Sequence, residues 1–169
     1  MSLHDTSVGK SDEWYTPPYV FRALGCTFDM HVSTPFDRTY VCVPASRWIF
    51  QNSLNLHWHG FVWMNPPFGG RNGIAPWLEK FFGHSNGIAL TPDRTSAPWW
   101  QEYAPRADAV LFVNGKIKFI DQNGKPGVSP ADGTTLLAAG NDAIDALKNA
   151  ARCGFGYLMF PPAKSGASS

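Results

Sequence analysis

The four residues Asn65-Pro66-Pro67-Phe68 bring two kinds of chemistry into one short turn. Neither proline carries a backbone N–H, so the turn offers carbonyl acceptors with few donors beside them. A residue before proline is pushed toward extended geometry, which holds Asn65 and Pro66 extended. The Asn65 side chain adds a further acceptor, and Phe68 adds a flat face that can stack on a planar ligand. Gly69 and Gly70 then permit close backbone approach. Two acceptors beside a stacking face suit an exocyclic amino group on a heteroaromatic ring. Such a nitrogen is a poor nucleophile, because its lone pair is delocalised into the ring. Two hydrogen bonds aimed out of the ring plane draw it toward a tetrahedral shape and free that pair. An amide then serves where a strong base would be expected. A base in a duplex must first leave the stack, since its amino group is otherwise paired. The plainer reading is a strand stopped by prolines, with Phe68 in the core.

The elements around the turn set where it sits. HGFVWM (59–64) reads as the strand leading into it. Asn72 is placed to cap a helix IAPWLEKFF ended by Gly83, and GIALTP (87–92) is the next apolar strand. Ser96 can cap a helix PWWQEYA with Pro98 in its first turn, and AVLFV (109–113) follows as a strand. Upstream, Thr16 is an N-cap candidate with Pro17 at the first helical position and Gly25 at the exit. CTFDMHV (26–32) and YVCV (40–43) read as short strands. Lys116–Ile120 and Thr134–Ala139 flank a turn-rich loop and are expected to pair as a hairpin. Asn141 caps a helix through Ala151 that Gly154 ends, and FGYLMF (155–160) is the last strand. Alternation of strands and helices at this spacing predicts an α/β fold with a mostly parallel sheet flanked by helices. Ligands in such sheets bind at the carboxyl ends of the strands, which is where Asn65 falls.

Composition bounds the alternatives. A chain of 169 residues with 44% hydrophobic and 16% charged residues suits a single compact domain. We assign that domain to residues 12–162, with a flexible N-terminus at 1–11 and a flexible tail at 163–169. A net charge of +1 makes any nucleic-acid footprint local. Cys26, Cys42 and Cys153 are odd in number and widely spaced, which argues against a disulfide framework or zinc knuckle and fits a reducing cytoplasm. No apolar run approaches a membrane span. His57 and His59 form an H-x-H pair without an obvious third ligand, so no metal is expected. Neither a G-x-S-x-G elbow nor a phosphate-binding G-x-x-x-x-G-K-[ST] loop is present.

The stretches DEWYTPPYVFRAL, FDMHV, VWMNPPFGG, LTPDRTSAPWW, GKIKFI with its following KPG, and LLAAG together resemble the phage-type DNA N6-adenine methyltransferase family. The likeness runs over most of residues 12–160. It implies a Rossmann-like methyltransferase fold, S-adenosylmethionine as methyl donor, and double-stranded DNA with a flipped adenine as substrate. It also implies action in the cytoplasm of a bacterial host. Asn65, Pro66, Pro67 and Phe68 then correspond to the loop that holds the adenine amino group. Tyr15, Thr16 and Pro17 match an N-terminal motif that contacts the methionine part of the cofactor. Asp29 matches a cofactor-binding acid, while His31 and Asn52 stand where further acids are usual. Arg71, Arg94, Trp99 and Lys116 are the expected DNA contacts, Arg94 to phosphate and Trp99 to a base or groove wall. Two alternatives share the fold: a DNA-binding module without turnover, and a methyltransferase of RNA or protein amide nitrogens.

Overall fold

Residues 87–92 and 134–139 are buried at every position, the pattern of strands covered on both faces. They form the centre of one seven-stranded sheet. The computed structural model describes residues 14–68, 73–127 and 132–163. Its strands are β1 (Phe28–His31), β2 (Ala45–Trp48), β3 (Val62–Met64), β4 (Gly87–Pro92), β5 (Ala109–Val113), β6 (Thr134–Ala139) and β7 (Gly156–Met159). The helices are α1 (Pro18–Leu24), α2 (Ala75–His84), α3 (Pro98–Tyr103) and α4 (Asn141–Arg152).

The spatial order is β2-β1-β3-β4-β6-β5-β7. Strands β2, β1, β3 and β4 are mutually parallel, while the β4–β6, β6–β5 and β5–β7 pairings are antiparallel. The sheet is therefore mixed, with parallel pairing confined to the half that carries Asn65. The expected hairpin between Lys116–Ile120 and Thr134–Ala139 does not form. Instead β6 inserts between β4 and β5, and among the described residues Ile120 makes isolated bridges, to Tyr15 and Pro126. The YVCV strand is likewise displaced: the edge strand is Ala45–Trp48, whose mostly exposed pattern carries little apolar alternation.

Side chains alternate across the sheet with period two. Trp63, Ile88, Leu90, Ala109, Leu111, Leu136 and Ala138 face α1 and α4 in one core. Val62, Met64, Ala89, Val110, Leu137 and Ala139 face α2 and α3 in the other. The result is a three-layer α/β/α arrangement. Helix α1 begins one residue later than the sequence suggests, with Pro17 as N-cap and Pro18 as the first helical residue. The Thr16 hydroxyl is engaged elsewhere, as described below. Gly25 closes α1 in left-handed geometry at φ 65°, as expected. Ile74, Ala97 and Gly140 take the N-cap positions of α2, α3 and α4, so Ser96 and Asn141 do not. Residues 1–11, Arg71, Asn72 and 164–169 lie outside the described residues. Among the described residues, no helix is long and apolar enough to cross a membrane.

Candidate active site

The chain leaves β1 toward one side of the sheet to make β2 and leaves β3 toward the other to make β4. Such a reversal opens a crevice beyond the carboxyl ends of the strands on either side of it. A cavity of about 1090 Å³ lies there. Its walls are residues 32–36 after β1, 49–55 after β2 and 65–68 after β3, with Trp14, Trp77 and Phe119 completing it. None of these lining residues carries a charge. What the cavity presents is aromatic surface together with hydroxyls, amides and backbone carbonyls.

Asn65 enters this cavity in a fixed attitude. Its backbone N–H donates to Ser33 Oγ at 2.8 Å, tying the end of β3 to the end of β1. Its side-chain Nδ2 donates to Thr16 Oγ1 at 3.2 Å, and Thr16 is itself buried. With the amide nitrogen engaged, Oδ1 is the end presented as an acceptor. Pro66 is buried behind it, Pro67 is exposed, and the Phe68 ring is 38% exposed against the cavity. All four residues of the turn therefore reach one space, the arrangement that their types suggest. The contact also explains why Thr16 does not cap α1.

The other expected positions divide. Asn52 lines the cavity in left-handed geometry at φ 56°, a conformation that asparagine tolerates better than most residues. Tyr15 is buried and donates its hydroxyl to the Asp37 carbonyl at 2.8 Å, so it braces the 33–44 loop and does not line the cavity. Asp29 also lies outside the lining. Its carboxylate accepts the Phe61 N–H at 2.7 Å and fills the space against Gly60, where φ is 66°. Pro17 serves as the N-cap of α1. Arg94 pairs with Asp132 at 2.7 Å beyond β4. Trp99 is buried in the α2/α3 core, which removes it from any DNA-facing surface. Lys116 is exposed on the segment after β5, and Arg71 lies outside the described residues. The pair His57 and His59 has rings 4.5 Å apart, and among the described residues no group of three or more metal-ligating side chains converges.

His31 is buried, outside the cavity lining, and neither ring nitrogen has a partner among the described residues. Burial lowers its pKa to about 3. The unfolded chain takes up this proton as pH falls below about 6.5, whereas the folded chain does not until about 3. His31 therefore withdraws stability as pH falls through that window, by about 1.4 kcal/mol per pH unit. His31→Leu is expected to lose less stability than wild type between pH 7 and pH 4.5, measured by urea denaturation. Parallel pH profiles for the two proteins would disprove this role.

The sequence reading missed Ser33, which fixes the Asn65 backbone, and the aromatic walls Trp14, Phe36, Phe50, Trp77 and Phe119. The available signal for Phe36 and Phe50 was position, since each lies just beyond the carboxyl end of a parallel strand. Among curated proteins and among solved structures, none matches the chain. The family model of DNA N-6-adenine-methyltransferase (Dam) matches residues 4–139, a span that includes every strand lining the cavity. With Asn65-Pro66-Pro67-Phe68 at the mouth of that cavity, the chain belongs to the DNA N-6-adenine-methyltransferase (Dam) family and is an adenine-specific DNA methyltransferase.

Proposed function

We propose that the cavity takes S-adenosylmethionine and a flipped adenine together, and that the sheet acts as a Rossmann-like methyltransferase fold. The observation that carries this reading is the Asn65 amide, held through Nδ2 by Thr16 at the wall of a space of about 1090 Å³, which leaves Oδ1 as its acceptor. Single ligand pockets run to roughly 300–1,000 Å³, so this volume suits a nucleoside cofactor with part of a second ring system. The donor set also fits. Aromatic walls match an adenine ring, and the amides of Gln51, Asn52 and Asn55 can hydrogen-bond ribose hydroxyls without a carboxylate. S-adenosylmethionine, when bound, would supply a methyl group attached to a cationic sulfur, the sulfur keeping the electron pair of the broken S–C bond and leaving as a neutral thioether.

Everything else falls to the protein's own groups. The target adenine, turned out of a duplex, stacks on Phe68, and its two amino hydrogens point to Asn65 Oδ1 and the Pro66 carbonyl. These acceptors bend the nitrogen out of the ring plane and stabilise the positive charge that grows on it as the N–C bond forms. One N–H proton is then lost along these acceptors to water. No titratable side chain lines the described cavity, so positioning and oriented dipoles provide the catalysis. In this reading the enzyme acts in the cytoplasm of a bacterial host, where duplex DNA is its partner.

Transfer of label from S-adenosylmethionine to unmethylated duplex, followed by nucleoside analysis, tests the proposal. N6-methyladenine is the expected product, and absence of label in DNA would overturn it. Thr16→Val removes the acceptor for Asn65 Nδ2 and frees the amide to rotate. We expect kcat to drop about tenfold, the loss of one ordinary hydrogen bond, with the KM for cofactor little changed. Thr16→Ser should recover most of the rate. A rise in cofactor KM at constant kcat would instead make Thr16 a cofactor contact.

A further inference from the structure

We infer that residues 114–127 form the element that reads DNA sequence next to the target adenine, with Gln122 and Asn123 as the base-reading side chains. The inference rests on the DNA-methylating reading above. The segment leaves β5, and β5 is antiparallel to β6, which is antiparallel to β4. β5 therefore ends on the same side of the sheet as β3, the side that presents Asn65.

From there the chain runs back to the cavity. Ile117 and Phe119 turn inward and are buried, Phe119 into the cavity wall, while Lys116 and Lys118 stay exposed between and beside them. Ile120 then bridges Tyr15, the neighbour of the residue that holds the Asn65 amide. The next turn is rigidly built. Asp121 Oδ1 accepts the N–H groups of Asn123 at 2.8 Å and Lys125 at 2.9 Å, and the Asp121 N–H donates to the Lys125 carbonyl at 2.8 Å. Gly124 and Gly127 lie so close to the Tyr40 and Trp14 rings that a Cβ at either would collide with them. Trp14 is part of the cavity wall. The turn is thus fastened to the rim of the site and not suspended in solvent.

What it holds outward is chemically specific. Gln122, Asn123 and Lys125 are exposed at its tip. Amide side chains pair in bidentate fashion with adenine, and lysine contacts guanine or phosphate. Three of the seven lysines fall within residues 116–125. The one acid there, Asp121, faces inward to its own turn. In a protein of net charge +1 whose described cavity lining carries no charge, this segment concentrates positive charge where a duplex around a flipped base must pass.

The test uses full-length protein and duplexes randomised around a single adenine, scored both by selection of bound DNA and by mapping of methylated products. Wild type is expected to select a short motif. The double variant Gln122→Ala, Asn123→Ala should melt at the wild-type temperature and lose roughly tenfold or more discrimination at one or two positions. Lys118→Ala with Lys125→Ala should instead weaken all sequences alike and reduce the salt slope by about 2. A double amide variant that keeps the wild-type motif, or a wild type that binds and methylates without any motif, overturns the inference. A wild type that selects a motif but transfers no methyl group supports the inference and overturns the functional reading.

Discussion

Asn65→Ala is expected to lower the single-turnover methylation rate by about 10²- to 10³-fold, the range seen when one preorganised dipole is removed from a charge-developing centre. The alanine side chain has no Oδ1 for the adenine amino group, and Thr16 Oγ1 loses the donor it now accepts at 3.2 Å. The backbone N–H to Ser33 survives, so the turn keeps its place and the melting temperature should change little. Asn65→Asp should fall between alanine and wild type. A carboxylate still accepts from the amino group and stabilises the growing positive charge, and the Thr16 hydroxyl can reverse to donate to it. That carboxylate must, however, be desolvated in a cavity whose described lining carries no countercharge. The check is a rate measurement at saturating cofactor and duplex. An alanine variant within threefold of wild type would remove Asn65 from the chemistry.

The largest effect on stability is expected at Trp63, two residues before Asn65. Its side chain is wholly buried and meets Phe21 edge-on at 4.9 Å and Phe28 at 5.5 Å. Trp63→Ala leaves a cavity beneath α1 and should cost about 3–5 kcal/mol. That is a large share of the roughly 5–15 kcal/mol that separates a folded domain from its unfolded chain. Trp63→Phe should cost less than half as much. Phenylalanine keeps the ring contacts, and it deletes an indole N–H that is buried without a partner among the described residues. Removing an unsatisfied donor recovers about 1–3 kcal/mol, which offsets part of the lost area. Urea denaturation of both variants decides this, with an unchanged m-value showing that the same structure unfolds. Equal losses for the two variants would mean that the indole N–H is satisfied.

The parts of the fold that could be read from the chain are those where burial writes a pattern. GIALTP and TTLLAA are buried runs, and AVLFV is buried over its first three residues; the three have the residue limits of β4, β6 and β5. The edge left little to read, because ASRW lies mostly in solvent while the neighbouring YVCV is apolar for another reason. Val43 belongs to the α1-side core and Tyr40 packs on Tyr15, so those residues are apolar as loop packing. Lys116–Ile120 misled in the same way: its alternation comes from Ile117 and Phe119 anchoring a loop. The partner of Thr134–Ala139 was set by long-range pairing, which no local period encodes. In the site, Asn65–Phe68 was legible because acceptors, prolines and ring are contiguous. The wall at 49–55 was not, apart from Asn52, since it becomes a wall only when β2 pairs beside β1 and brings its carboxyl end to the crevice. Asp29 is a plausible ligand by type, and in the fold its carboxylate accepts the Phe61 N–H outside the cavity lining.

Strand β6 has a consequence in time as well as in space. Among the described residues it alone joins β4 to β5, and it lies more than forty residues downstream of β4. During synthesis the four parallel strands, three of which lead into the cavity walls, emerge first, and β4 then presents a bare row of peptide N–H and C=O groups. Pairings so distant in sequence are slow to form, and an open edge is the surface on which nascent chains associate wrongly. Completion of the sheet is thus gated by emergence of Thr134–Ala139, so a ribosome stalled before that point holds a nearly complete pocket on an unfinished sheet.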